Sequence, residues 1–522
     1  MSKSNRREFI KGFAAACGAA AVGGCASSKY GFHCARTALK GDKLKFGILG
    51  ADGKGWTDWR NALAHGEVPV AICDVDTRAI DKALAFIAGK GLDTTGIRTY
   101  TDYRRMFDDQ SKLGMDMVTI STPDHMHAPQ AITAMKNGIH CYIQKPLVRT
   151  LWESEYLYNV AKTTGCFTQL GNQGSAAHGF RRHCELLQQG VLGDIKEIYV
   201  WTDRPIWFQG DVAKKLAAGR TVHPPASLDW DSWLGTAADR AFPEDRPDGM
   251  KLPCKSQWAL CKKGVYHTFN WRGFYDFGTG AFGDMACHTM NLPFRGAELG
   301  AVKTAEVCDV VEYNDVAFPV KSRVNLVYAA RTSKARPGVK LPEVTVHWSE
   351  GGYIPEDPRL APIMKVLKEH EKGEDPLNGC IFVGSKGMLA SLDPYGIDCV
   401  IMMNGEKAPV NTKEHEACRE SVIAPYIPRV PGDTSNIWTD TDREQVAELC
   451  EAIKGNGKFY KCSNSKCFCD VDYSTAILEG MLVGCMAQRL NRKLAWDADL
   501  RRFDDPVANS LMTPYIRPGW EF

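Results

Sequence analysis

Short apolar runs separated by turn residues set the rhythm of the amino-terminal third. Leu44–Leu49 is apolar and runs into Gly50-Ala51-Asp52-Gly53-Lys54-Gly55. Val68–Cys73 is a second run, closed by Asp74, and Met117–Ile120 is a third, closed by Ser121-Thr122-Pro123-Asp124. Runs of this length bounded by turn residues read as buried strands. From Ala128 to Lys136 the pattern changes: Ala128, Ala131, Ile132 and Met135 recur at helical spacing, Gly138 supplies the stop, and His140–Ile143 is the next strand. The result is a βαβ unit. Its right-handed crossover places both strand carboxyl ends on one edge, where open α/β sheets bind ligands, so Pro123–His127 should meet Gln144-Lys145-Pro146 there. Lys145 precedes a proline, which biases it to an extended conformation and lets its amine project from the edge. It is the first catalytic candidate.

The glycine turn gives this edge a ligand. A glycine-rich turn between strand and helix, followed about twenty residues later by an acidic residue at a strand end, is a dinucleotide fingerprint. Gly50 permits the tight turn, Gly53 and Gly55 let phosphate oxygens approach the backbone, and the helix beyond attracts pyrophosphate at its amino terminus. Asp74 should accept from both ribose hydroxyls and repel a 2′-phosphate, favouring NAD over NADP. Asp52 stands where the pattern has its second glycine, and a carboxylate there must point away from the pyrophosphate.

Further along, Phe167–Gln173 reads as the last strand of this unit, Arg181–Gln188 as a helix, and Ile195–Trp201 as the first strand of a different sheet. In Gly283-Asp284-Met285-Ala286-Cys287-His288-Thr289-Met290-Asn291, Asp284 and His288 are four apart and share a face if helical, so both can point into one small volume. Tyr266, His267, Arg272 and Tyr275 are candidate contacts to a hydroxyl-rich ligand, which needs planar and polar side chains on one wall. His178, His183 and His223 lack comparable context and read as structural or solvent-exposed. Arg331–Gly379 carries no motif and reads as an insertion or long loop.

At 522 residues the chain suits two domains plus insertions. A net charge of +2 with mixed signs argues against a nucleic-acid partner. Asn5-Arg6-Arg7-Glu8-Phe9-Ile10-Lys11, an Ala/Gly-rich apolar stretch and Val22-Gly23-Gly24-Cys25 together read as an export signal, too short and small-sided to span a bilayer. The arginine pair resembles a twin-arginine signal and the second block a lipoprotein box that would acylate Cys25, leaving a lipid as the one membrane contact. Ala26 then leans the anchor towards the outer membrane. Nineteen cysteines in an exported chain would suggest disulfides, but Cys73, Cys141, Cys166 and Cys287 fall in or beside regular elements, where free cysteine behaves as an apolar residue. Cys462, Cys467 and Cys469 form a candidate metal or disulfide cluster whose spacing matches no common zinc pattern, and no metal site is assigned.

Thr122-Pro123-Asp124-His125-x-His127 with Gly138-x-His140-x-Tyr142-x-Gln144-Lys145-Pro146-Leu147 resembles the signature of the glucose–fructose oxidoreductase / inositol dehydrogenase (Gfo/Idh/MocA) family. Leu228–Gly235, Trp271–Gly280, Leu494–Asp497 and Tyr515–Trp520 resemble blocks of its exported branch. The resemblance implies an α/β fold: a Rossmann domain at 44–172 after a leader and linker at 1–43, then a substrate domain at 173–522 built on a large open, mostly antiparallel sheet whose outer face makes a dimer or tetramer. It implies an NAD contacted by Thr122, Pro123, Asp124, His127, Gln144, Lys145 and Gln173 as well as by Gly50, Asp52, Gly53, Lys54, Gly55 and Asp74, and export of the folded protein to a compartment with little free dinucleotide implies that this cofactor stays tightly bound. A sugar or sugar-like polyol would meet Lys145, Tyr266, Arg272, Tyr275, Asp284 and His288. His288 would be the base, Asp284 its orienting partner and Lys145 the group that polarises the oxygen, with the roles of His288 and Lys145 exchangeable. The family has Glu-Lys-Pro where this chain has Gln144-Lys145-Pro146, and losing that charge should ease deprotonation of Lys145. A cis Lys145–Pro146 bond is also implied, and Asn291 replaces the usual aspartate. Two rival readings are glycoside cleavage by oxidation, elimination and re-reduction, and a sugar-binding lipoprotein without turnover.

Overall fold

The computed structural model describes residues 43–246, 264–374, 376–436, 439–455 and 467–522. The arginine pair, the Cys25 box and Cys462 lie outside the described residues.

Six parallel strands form the first sheet: β1 (Lys45–Leu49), β2 (Val68–Cys73), β3 (Arg98–Tyr100), β4 (Met117–Ile120), β5 (His140–Gln144) and β6 (Thr168–Gly171). Their order, β3-β2-β1-β4-β5-β6, reverses direction between β1 and β4, the switch point at which doubly wound sheets bind dinucleotides. Helix α1 (Gly55–Ala64) follows the glycine turn, and α2 (Asp124–Lys136) joins β4 to β5. The sequence pattern placed the start of α2 at Ala128. The helix instead begins one turn earlier, after Pro123, whose extended backbone (φ −61°, ψ 151°) forms the cap, and runs through Pro129. The Lys145–Pro146 bond is cis.

The second sheet is large and mixed. Its strands are β7 (Ile195–Thr202), β8 (Val302–Val311), β9 (Lys321–Tyr328), then, after the small hairpin β10 (Arg331–Thr332) and β11 (Lys340–Leu341), β12 (Val344–Glu350), β13 (Asn378–Gly384), β14 (Gly387–Ser391), β15 (Cys399–Met403), β16 (Val410–Asn411), β17 (Leu494–Asp497) and β18 (Arg502–Phe503). The order β16-β15-β14-β13-β7-β12-β9-β8-β17-β18 is antiparallel throughout except where β12 pairs parallel to β7. The fold is therefore α/β, a Rossmann-type parallel sheet followed by a mostly antiparallel one. Arg331–Gly379 is not a loop: it holds β12, near the middle of the sheet, whose Val344, Val346 and Trp348 are buried in alternation. A seven-residue strand flanked by loop composition gives too short a period to see, and its partners lie far away in sequence.

Helix α3 (Gly280–Thr289) is buried along its whole length between the sheets. Two late helices close the molecule. α4 (Asp440–Ile453) returns to the first sheet, packing Val446, Leu449, Cys450 and Ile453 with Phe46, Ile48, Trp59, Met117 and Tyr142. α5 (Val471–Leu490) backs the second sheet through Ile477, Leu478, Met481 and Leu482. Every described cysteine is a free thiol, and all but Cys308 are buried. Among the described residues no His, Cys, Asp and Glu cluster could hold a metal, and no helix is long and apolar enough to cross a membrane.

Candidate active site

The glycine turn is shaped for close approach. Gly50 has φ +82° and donates its N–H to Cys73 O at 3.0 Å, pinning the turn to the end of β2. A Cβ on Gly55 would stand 1.9 Å from Gly50 O, so only glycine lets α1 start against the turn, whereas a Cβ on Gly53 (φ +59°) would meet nothing within 4 Å. Gly53 thus lines an open cradle. Asp74 accepts from Ala51 N at 2.7 Å and from Asp76 N at 2.9 Å. Burial pushes its carboxyl up to about 6. Asp52 points outward to Lys82 Nζ at 2.7 Å and is half exposed, so its charge leaves the cradle free.

Several side chains expected at the cofactor also have partners within the protein. Lys54 Nζ donates to Asp58 Oδ1 at 2.7 Å and to Asp442 Oδ2 of α4 at 2.8 Å. Burial opposes its charge, but the two carboxylates raise the ammonium above its ordinary value. Thr122 Oγ1 donates to Gln130 Oε1 at 2.7 Å, and Pro123 caps α2. His127 lies between Pro146 O at 2.7 Å and Thr122 O at 2.8 Å, clasping the two strand-end segments together. Burial lowers its imidazole to about 4. Asp124 accepts from Thr279 Oγ1 at 3.0 Å, and burial lifts its carboxyl to about 7. Gln144 Nε2 donates inward to Asp58 Oδ2 at 2.9 Å. Gln173 is buried in the 3-10 turn that follows β6.

The catalytic candidates do converge. Lys145 Nζ lies 2.9 Å from Asp284 Oδ1 and donates to Asp284 O at 3.1 Å. Arg272 Nε reaches the same Asp284 Oδ1 at 3.2 Å. Although burial opposes ionisation, Lys145 and Arg272 hold the Asp284 carboxyl down at about 2. His288, one turn along α3, is buried and sits edge-on to the Tyr395 ring, with centroids 5.0 Å apart. Its Nδ1 has no hydrogen-bond partner. Burial, then the Lys145 charge, keep the imidazole well below its ordinary value, and Arg204 and Lys54 act in the same direction against Asp284. Asp284 therefore serves Lys145 and Arg272, not His288 as the helical spacing suggested: the shared face is real, but two cations outcompete an imidazole for the carboxylate.

Two candidate sugar contacts are core residues. Tyr266 is buried among Trp230, Trp233, Phe274 and Phe277, and Tyr275 against Phe318. Both are aromatic residues in an aromatic-rich stretch, where packing and ligand contact share one sequence signal. Sequence reasoning missed Asp58, Asp442 and Tyr395. The i,i+4 spacing of Lys54 and Asp58 was a readable cue; the other two come from more than two hundred residues beyond the glycine turn and leave no local trace.

Comparison with known proteins agrees with this fold. Residues 44–172 match the model of the GFO_IDH_MocA family, described as an oxidoreductase family with an NAD-binding Rossmann fold. The chain is 25% identical over 187 residues to a glycosyl hydrolase family 109 protein of Shewanella pealeana, covering 35% of this chain and 40% of that protein. A family 109 protein of Shewanella baltica is 25% identical over 238 residues, covering 42% and 51%. The chain thus matches about half or less of the length of these curated relatives. An inositol dehydrogenase homolog from Azotobacter vinelandii, complexed with NADH and myo-inositol, superposes with TM-score 0.53 at 14% identity over 88% of this chain and 99% of that one. The WlbA dehydrogenase from Bordetella pertussis, in complex with NADH and UDP-GlcNAcA, does so with TM-score 0.51 at 13% identity over 88% and 99%. At these identities the likeness is one of fold. Residues 44–172 are thus similar to the NAD-binding Rossmann domain of the Gfo/Idh/MocA oxidoreductase family.

Proposed function

We propose that this protein oxidises a secondary alcohol of a sugar or sugar-like polyol with a retained NAD, after export to the periplasm or to an outer-membrane lipid anchor on Cys25. The observation that carries the reading is the buried Asp284 carboxylate held by the partly buried Lys145 and Arg272, beside an uncharged His288, at the carboxyl edge of a sheet whose glycine turn has an open cradle. Gly50, Gly53 and Gly55 would hold the pyrophosphate and Asp74 the ribose hydroxyls, so the residues present fit the dinucleotide; the carboxylate favours NAD over NADP. Bound there, NAD supplies the hydride acceptor.

The chain's own groups handle the proton. Lys145, fixed by Asp284, presents an ammonium to the substrate oxygen and stabilises negative charge on it. His288, kept neutral by burial, accepts the hydroxyl proton. Arg272 helps to keep Asp284 ionised, so Lys145 stays paired and in place. Lys145→Ala or His288→Ala should each lower turnover by about 10²–10⁴.

The family 109 relatives favour a second reading, glycoside cleavage in which the hydride returns to the sugar after elimination. Both readings require recycling in place, because a twin-arginine route carries a folded, cofactor-loaded protein to a compartment with little free dinucleotide. The test mixes protein without added NAD with candidate glycosides and follows nicotinamide absorbance and aglycone. Reduction that stops near one equivalent until a keto-sugar is added supports the oxidoreductase. Many turnovers of aglycone without net reduction support cleavage. Strict dependence on added, exchanging NAD overturns the retained cofactor.

A further inference from the structure

The side chain of Asp58 is fully buried, although it belongs to the first turn of α1. Its two oxygens accept from three segments that border the dinucleotide crevice. Lys54 Nζ of the glycine turn donates to Oδ1 at 2.7 Å, while Ser121 Oγ after β4 and Gln144 Nε2 at the end of β5 donate to Oδ2 at 2.8 and 2.9 Å. Gln144 passes the constraint on: Lys145 N lies 3.3 Å from Gln144 Oε1, and Lys145 Nζ ends at Asp284. Gly171 on β6 leaves the room that the Gln144 amide occupies, since a Cβ there would stand 2.5 Å from its Nε2.

We infer that Asp58 is a positioning residue for Lys145, and that glutamine at 144 is the neutral half of an Asp58–Gln144 pair that keeps one negative charge, not two, beneath the strand ends. A glutamate at 144 would set a second carboxylate oxygen about 3 Å from Asp58 Oδ2, where two like charges cannot both stay ionised. Lys54 cannot absorb it, since it already serves Asp442 as well as Asp58. The carboxylate charge beneath this strand end is carried on the neighbouring helix by Asp58, to which Gln144 Nε2 donates at 2.9 Å.

The test is a charge exchange in the full chain: Asp58→Asn, Gln144→Glu and the double variant. The double variant rebuilds one amide-to-carboxylate bond with its direction reversed. Each single variant should melt at lower temperature, and the double should recover most of that loss, a coupling that non-interacting sites do not show. This arm needs no substrate, so it reads the pair even if the proposed oxidation is wrong. The turnover arm rests on that proposed reading. Each single variant should lose up to about a hundredfold at pH 8 through misplacement of Lys145. Gln144→Glu should regain activity relative to the parent as pH falls, because like charges this close share a proton that can donate as the amide did. Melting temperatures of the double variant no better than the worse single variant would overturn the pairing. Restored melting with a turnover loss in Gln144→Glu that is the same at every pH would overturn the positioning role.

Discussion

On the proposed reading, in which Asp74 holds the ribose, this one residue couples cofactor binding to pH. Burial raises its carboxyl from 3.8 to about 6, so keeping it ionised costs the folded protein stability that is untouched below pH 3.8 and fully lost above about 6. The ribose hydroxyls are donors and need the ionised form. NAD affinity should therefore weaken as pH falls below about 6, by up to about tenfold per unit, and level off above pH 7. Titration calorimetry from pH 5 to 8 would show the slope together with proton release. Asp74→Ala removes one or two charge-assisted hydrogen bonds worth roughly 1.5–3 kcal/mol each. Asp74→Asn keeps an acceptor for Ala51 N but should flatten the pH dependence. An unchanged profile in Asp74→Asn would mean that another group carries the titration.

At the scale of elements, the contact between the glycine turn and α1 makes a sharp forecast. Gly55→Ala drives a Cβ into backbone, 1.9 Å from Gly50 O, so the turn itself must move. Gly53→Ala meets no atom within 4 Å and carries only the strain of a left-handed backbone, about 1–2 kcal/mol. Gly55→Ala should thus lose NAD binding and melt lower, while Gly53→Ala loses much less; equal losses would show that φ, not the approach of α1, governs the turn. This contrast also marks what the sequence made legible. Strands β1, β2, β4 and β5 announced themselves because parallel strands buried on both faces are unbroken apolar runs, and the turn residues between them are distinctive. β12 did not, since a half-buried strand of seven residues alternates too briefly, and only its pairing with β7 and β9 fixes it. The placing of Lys145 at the sheet edge and of Asp284 and His288 on one helix was readable from proline context and helical spacing. Which of them Asp284 serves was not, because that choice is made by Arg272 and Lys145 arriving from other segments.

Over the whole molecule, the chain order and the spatial order part company at α4. Residues 44–172 include every strand of the first sheet, yet one of its faces is finished by a helix nearly three hundred residues later. Val446, Leu449 and Ile453 pack with Ile48, Trp59 and Met117, and Gln445 Oε1 accepts from Tyr142 Oη at 3.2 Å. Burying each of these three aliphatic side chains is worth about 1.5–3 kcal/mol. Their sum approaches the whole stability of an ordinary domain, about 5–15 kcal/mol. Polar ties add to the same seam: Lys454 pairs with Glu67, and Asp442 with Lys54 of the glycine turn. A fragment of residues 44–172 should therefore fail to fold cooperatively, bind the dye ANS through its uncovered apolar face, and show no saturable NAD binding. The full chain carrying Leu449→Asp should reproduce part of that behaviour by leaving α4 unseated, with NAD released before the second sheet melts. A fragment that melts in one sharp transition and binds NAD as the full chain does would show that α4 merely rests on a self-sufficient domain. The expected result makes the carboxyl-terminal segment a part of the cofactor site, holding the glycine turn from behind through Asp442 and Lys54.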